Sequence, residues 1–445
     1  MVKIGIISLG CPRNLVDSEI ILGSLKKEGY EISDEVGEGV DVFIINTCSF
    51  VESAREESID TIIEAAAMKK EGKIKYLVVA GCLGQQYSDK LLKSLPEVDL
   101  LVGTNDLPKI NDIVKDLLKG RPRSAVSRSL DYLYDEESPR FLLTPKHYAY
   151  VKISEGCDNF CSYCIISKLR GRFRSRAMES VVREIEKISK DGYLKEINLI
   201  GQDTTLFGMD KYGKTVFAEL LKNICSLKNS IKWVRILYTH PAHYTDEFIS
   251  TISDEPKICK YLDLPVQHIN DKILKAMNRR TTKKDILELI KKIRTGIPGI
   301  TLRTSVIVGF PGETEKDFEE LLEFLRITRF EKLGAFIYSA EEGSRAAKFK
   351  GQVPDKVKKQ RFDEVMKLQQ QISESINMSF IGKTVEVLID EIVDGEEDSF
   401  LGRTEGDAPE VDGCVYVNGK NLKIGEFYNV KIKDTLEYDL VGELA

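Results

Sequence analysis

No apolar run in this 445-residue sequence approaches the ~20 residues of a membrane span, and no low-complexity tract or internal repeat breaks it up. The first eleven residues carry one positive charge, Lys3, and a short apolar stretch ending at Leu9. That is too short for the core of a signal peptide and reads as a first β-strand. These absences exclude membrane-spanning and fibrous classes and point to the cytoplasm, where thiols stay reduced. The nine cysteines are then not a disulfide framework, and metal ligation or catalysis is the reading that follows. What is present is an ordinary globular composition, 42% hydrophobic and 31% charged. The length suggests about two or three domains.

The first segment alternates apolar runs with helical stretches. Strands are expected at Val2–Leu9, Asp41–Asn46, Lys75–Ala80 and Val98–Val102, and helices at Asn14–Lys27 and Ser53–Met68. Continuous Val/Ile/Leu strands separated by helices imply a parallel sheet covered on both faces. The pattern breaks near Gly120, at Arg121–Pro122–Arg123 and the acidic stretch Asp131 to Glu137, where a linker is expected. A second β/α series begins at His147. Its strands are expected at Tyr148–Ile153, Glu196–Ile200, Trp233–Tyr238, Tyr261–Leu264, Thr301–Val308 and Leu333–Tyr338. Helical patterns lie between them at Glu179–Lys190, Lys284–Ile293 and Glu315–Leu325. Six β/α units fall short of the eight that close a full barrel, so the expectation is an open, partial (β/α)6 barrel. A long polar helix follows Pro354, and from Gly382 short alternating strands with Gly turns predict a small all-β barrel. The expected domains are 1–125, 140–373 and 375–445.

Cys157, Cys161 and Cys164 follow the expected strand Tyr148–Ile153, at the strand end where β/α barrels carry their reaction centres. Three thiolates in a tight loop can hold three irons of a cubane and leave the fourth open. A zinc site wants four ligands, and no fourth Cys or suitably placed His lies nearby. Cys11, Cys48 and Cys82 are far apart in sequence, yet each comes directly after one of the first three strands. In a parallel sheet those strand ends share one edge, so the three thiols are expected to converge on a second metal centre. Cys225, Cys259 and Cys414 are expected to be structural.

The turn Ser305-Val-Ile-Val-Gly-Phe-Pro-Gly-Glu313 ends another strand, and Gly309 and Gly312 permit close backbone approach to a ligand. Behind a cysteine loop it becomes a candidate adenosine contact. Arg303, on the same strand face as Ser305, suits a carboxylate such as that of a methionine. Gln267 is a candidate for ribose hydroxyls. His240 and His243 flank Pro241 after another strand and stay open between acid/base groups and satisfied loop histidines.

The C-x3-C-x2-C spacing with Tyr163 before the last Cys resembles the radical S-adenosylmethionine (SAM) signature. The whole chain resembles the methylthiotransferases, and within them the group acting on an aspartate of small-subunit ribosomal protein S-twelve. The resemblance rests on Ser8-Leu-Gly-Cys-Pro-Arg-Asn-Leu-Val-Asp-Ser-Glu19, Asn46-Thr-Cys-Ser-Phe50, Gly81-Cys82, Lys152-Ile-Ser-Glu-Gly-Cys157 and Gly201-Gln-Asp-Thr-Thr205. The C-terminal module resembles a TRAM domain, the family's substrate-binding barrel. The resemblance implies two 4Fe–4S clusters, one on each cysteine triad, and two SAM molecules. It implies that the Cys157 cluster reduces SAM to a 5′-deoxyadenosyl radical, which takes hydrogen from the β-carbon of the aspartate. The other cluster would carry the methylated sulfur. A low-potential electron donor and a sulfur source are implied partners.

The competing substrate is an adenosine of tRNA. Relatives acting on tRNA typically have Gln, then Met or another residue, after the first Cys, whereas this chain has Pro12 and Arg13. From Ser375 to Ala445 there are six Lys/Arg against sixteen Asp/Glu, a net of −10, leaving +4 on the rest. An acidic module repels phosphates and suits a basic ribosomal protein, so the protein substrate is expected.

Overall fold

The computed structural model describes residues 1–33, 39–49, 51–121, 124–396 and 398–445. Phe50 and the Pro122–Arg123 part of the expected break lie outside these residues. Each of the three expected layers is there. The first is a six-stranded sheet with every neighbouring pair parallel. Its centre is Lys3–Ser8, Val40–Thr47, Ile74–Gly81 and Leu100–Val102, the four strands expected from their apolar runs. Two-residue edge strands, Glu31–Ile32 and Ser124–Ala125, extend it. They are too short to leave a periodic signal. Separate apolar clusters cover the two faces, one built on Ile4, Val42, Ile44 and Val78, the other on Phe43, Ile45, Leu77 and Val79. This accounts for strands that are apolar on both sides.

The second layer is a six-stranded parallel sheet in simple sequence order. Its strands are Tyr148–Lys152, Glu196–Ile200, Trp233–Ile236, Ile258–Asp263, Thr301–Val308 and Lys332–Ile337. Alternate residues go to different places. Leu302, Val306 and Val308 pack outward on the helices, while Tyr150, Trp233 and Tyr261 line the lumen. The helix Asp355–Met378 packs along the last strand. The C-terminal strands close a five-stranded barrel around Val387, Val415, Val417, Val430 and Ile432.

The lumen of the open barrel is filled from two directions. Val16 and Ile20 of the helix Pro12–Lys27 enter it, and so does Ala408 of the C-terminal module. The C-terminal module meets the starts of the barrel strands. Arg403 binds Glu196 at 2.7 Å, Phe427 packs edge-on to Trp233 at 4.8 Å, and Lys332 binds Asp407 at 2.6 Å. Arg235 donates to the Glu405 carbonyl, and Tyr261 donates to Asp412 at 2.7 Å. The segment 404–412 therefore plugs the floor of the barrel, opposite the strand ends that carry the cysteine loop.

Candidate active site between two cysteine sets

Cys11 and Cys82 both sit at helix starts. Cys11 is the N-cap of Pro12–Lys27, and Cys82 is the first residue of Cys82–Ser94. Cys48 follows directly after Val40–Thr47. Gly10 has φ +85°, and a Cβ there would fall 2.4 Å from the Cys48 Cβ, so only glycine lets the two loops approach. Asn14 ties the three loops together. Its amide donates to the Leu9 and Thr47 carbonyls, and its Oδ1 lies 3.8 Å from the Cys82 Sγ. Burial pushes the Cys11 thiol up, but Arg13 and Arg170 outweigh it and leave the thiol below its ordinary value. Burial leaves Cys82 raised, with Arg170 opposing.

The second set is held by a loop with a backbone of its own. Gly156 (φ +77°) lies against the Arg172 carbonyl, and the Cys157 N–H donates to the Gly171 carbonyl. Tyr163 joins Met277, Phe310 and Tyr338 in an apolar cluster that anchors the loop on the barrel rim. Each thiol has a donor: Asn159 Nδ2 at 3.5 Å from Cys157, Arg279 at 3.9 Å from Cys161, and the Ile166 N–H at 3.4 Å from Cys164. Such donors tune a cluster's potential. Burial pushes Cys157 up to about 11 and Cys164 up to about 12. These thiols ionise when a cation arrives to bind them.

Among the described residues neither cysteine set brings three sulfurs within 4.8 Å of one another. That spacing is too wide for a single zinc ion, whose Zn–S bonds are ~2.3 Å. It leaves room for a multi-iron cluster, and the all-thiolate donor set suits one. The residues present therefore fit 4Fe–4S clusters.

The two sets face each other across the interface of the two sheets. Arg170 donates to Asn14 at 2.6 Å, to Asp17 at 2.8 Å and, at 3.6 Å, to the Cys82 sulfur. Cys82 itself packs against Ile165 and Leu169, next to Cys164. Lys152 completes the network with Asp17 at 2.6 Å and Glu155 at 2.7 Å. These four charges are nearly fully buried, and each is paired, as burial requires. Arg13 crosses the same gap: Nε lies 3.4 Å from Cys11 Sγ, Nη1 donates to Gly201 O at 2.9 Å, and the guanidinium stacks 4.2 Å over Tyr238.

Of the other expected site residues, Arg303 lies in the lumen, paired with Asp263 at 3.1 Å and Asp412 at 3.4 Å. Ser305 lies above it on the same strand face. Gln267 (φ +69°) extends the sheet, its N–H donating to Ser305 O and its carbonyl accepting from Ile307 N. At Gly309 (φ +73°) a Cβ would meet Lys358 Cγ at 2.3 Å, and its N–H is bound by Glu313, so helix packing explains this glycine. Gly312 (φ +84°) is held by the Gly351 carbonyl at 2.8 Å and has open space at its α-carbon. His243 binds Asp203 at 2.9 Å, and Asp203 also accepts from Asn159 at 2.7 Å and Thr205 at 2.5 Å. His240 stacks on His243 and accepts the Ala242 N–H at Nδ1. Burial and Arg279 hold it well below the ordinary histidine value. The histidines thus belong to a hydrogen-bonded set that orients Asn159 under Cys157. Cys225 ends the helix Phe217–Cys225, while Cys259 lies in the lumen cluster.

Arg170, Tyr238 and Asn159 carried no sequence signal, and Arg13 stood only in the motif after Cys11, with no contact assigned to it. Tyr238 and Phe160 hold left-handed backbones (φ +58° and +48°), which in non-glycine residues cluster at functional sites.

Three family models match the chain: the radical SAM superfamily over residues 151–325, Uncharacterized protein family UPF0004 over 3–103, and a TRAM domain over 381–445. A ribosomal protein uS12 methylthiotransferase RimO from Desulforamulus reducens is 47% identical over all of both chains. That of Clostridioides difficile is 47% identical over 100% of this chain and 99% of its own. The chain belongs to the uS12 methylthiotransferase family. As a radical SAM methylthiotransferase it uses 4Fe–4S clusters and SAM. Pelotomaculum thermopropionicum has another uS12 methylthiotransferase at 48% identity over 99% of each chain. In fold the chain is similar to the radical SAM methyltransferase TsrM of Kitasatospora setae, at TM-score 0.55 and 15% identity over 75% of this chain and 72% of that one.

Proposed function

We propose that this methylthiotransferase modifies the β-carbon of an aspartate in ribosomal protein uS12, at the seam between the two cysteine sets. The units doing so are residues 1–125, 140–373 and 375–445, working in the cytoplasm with a low-potential electron donor and a sulfur source. Clusters on Cys157, Cys161, Cys164 and on Cys11, Cys48, Cys82 supply, when bound, the reductive cleavage of SAM and the sulfur for transfer. The observation that supports this reading is the closeness of the two sets: Cys82 packs against Ile165 and Leu169, next to Cys164, and Arg170 reaches the Cys82 sulfur. SAM is received by Gln267, Ser305, Gly312 and the Gly309 turn, with Arg303 offering its remaining donor. Acid–base chemistry is unsuited to an unactivated C–H bond.

The acidic C-terminal module is the dock for a basic ribosomal protein. Glu386, Asp390, Asp398, Asp407, Asp412, Glu426 and Glu443 are ion-paired inside this chain, so the docking charge comes from the others. Anaerobic reconstitution with iron, sulfide, dithionite and SAM tests the reading. It should yield 5′-deoxyadenosine, and a methylthio mass gain on uS12 with none on tRNA. A gain on tRNA with uS12 unchanged would overturn the substrate.

A further inference from the structure

We infer that Arg13 is the seat of the substrate's own side-chain carboxylate, and so selects a carboxylate-bearing residue at the reacting position. Several buried guanidinium groups of this interior have carboxylate partners: Arg170 has Asp17 and Glu155, Arg303 has Asp263 and Asp412, and Arg403 has Glu196 and Asp390; Arg279, on the Cys161 sulfur and the Pro265 carbonyl, has none among the described residues. Among the described residues Arg13 has none. Its contacts are a thiol, one carbonyl and the Tyr238 ring, and Nη2 has no protein acceptor. Its Nε faces the Cys11 sulfur, and the remaining edge of the planar fork is shaped to take a carboxylate through two parallel hydrogen bonds.

Place and chemistry agree. Arg13 lies against Cys11 on one side and against Gly201 and Tyr238, at strand ends of the open barrel, on the other, so it spans the seam between the two sheets. The carbon to be modified must be reachable from both. In an aspartate the carboxylate is one bond from that carbon, and fixing the carboxylate fixes the carbon. Tyr238, in a left-handed backbone with its ring beneath the guanidinium, holds the fork in one plane. Stacking and the Gly201 carbonyl leave it little freedom, which is the preorganisation that positioning a reacting atom needs.

This inference rests on the uS12 reading, and the experiment separates the two. A labelled peptide spanning the target aspartate, and its Asn counterpart, are titrated by fluorescence anisotropy into holoenzyme of wild type, Arg13→Gln and Arg13→Lys. Wild type should prefer the Asp peptide by at least ~10-fold, as for a charged hydrogen-bonded pair. Arg13→Gln should bind both peptides within about twofold, and Arg13→Lys, keeping charge without the fork, should retain only part of the preference. A wild-type preference persisting in Arg13→Gln overturns the inference. So does lost SAM affinity with the peptide preference intact, which would give the guanidinium to SAM. If Arg13→Gln fails to hold its iron, Arg13→Lys decides, and an undiminished preference there sinks the proposal. No binding of either peptide to wild type, together with no mass gain on uS12, removes the substrate reading and the inference with it.

Discussion

At the scale of single residues, the site depends on how closely three loops approach. Cys48 belongs to only one of the two sets, so Cys48→Ala should leave about half the iron, as expected for loss of one of two clusters. It should keep cleavage of SAM to 5′-deoxyadenosine and lose methylthio transfer. Iron and sulfide analysis beside product chromatography checks this, and unchanged iron would remove the second cluster. Gly10→Ala leaves every thiol in place yet puts a Cβ 2.4 Å from that of Cys48 on a backbone at φ +85°. It should reproduce the Cys48→Ala iron loss, because the loops must separate. The glycine is legible in the sequence only as Gly-Cys; the reason for it is a contact across 38 residues.

At the scale of elements, most strands and helices follow from local pattern, though the helices Cys82–Ser94 and Ile110–Leu118 were not expected. The helix Glu315–Thr328 starts on a capping box of Thr314 and Asp317, a signal readable in sequence. The edge strands Glu31–Ile32 and Ser124–Ala125 have no such signal, since pairing alone makes them strands. The turn at Gly309 carries a different lesson. Its positive φ fits a ligand-facing glycine, but Lys358 of the helix Asp355–Met378 occupies the space beside it. Gly309→Ala should therefore lower stability by about 1–3 kcal/mol, seen as a lower midpoint in thermal unfolding of the apoprotein. A drop in SAM affinity with no change in that midpoint would restore the turn to a pure ligand role.

At the scale of the whole molecule, charge couples the layers. Arg403 joins Glu196 of the open barrel to Asp390 of the closed one, both at 2.7 Å. Arg403→Leu should cost about 3 kcal/mol, near the low end for breaking a buried pair, because Arg235 still compensates Glu196. Denaturant titration measures it. Burial raises the Asp390 carboxyl, but His147 and Arg403 outweigh it and hold it below its ordinary 3.8. Its contribution is thus complete above that value and is lost as pH falls through the lower folded value. The stability gap between wild type and Asp390→Asn should shrink as pH falls below about 4. A gap that stays constant or widens below about pH 4 would contradict the pairing. This module meets the strand starts and the cysteine loop follows the strand ends, so a docked protein must reach around the barrel to present its residue.

The sequence by itself determined the strand series, the three layers and both cysteine sets, because apolar runs, Gly turns and strand-end positions are local facts. It could not decide what lies between those sets. Arg13, Tyr238, Arg170 and Asn159 acquire their contacts only when a helix of one sheet docks on the rim of another; Arg13 was marked by its place after Cys11-Pro12, but nothing local told what the other three touch. The acidic tail was legible as charge, but which acids turn inward onto Arg403, Lys332 and Arg303 was settled by the plug at the barrel floor. Burial makes charges find partners, and those partners are distant in the chain.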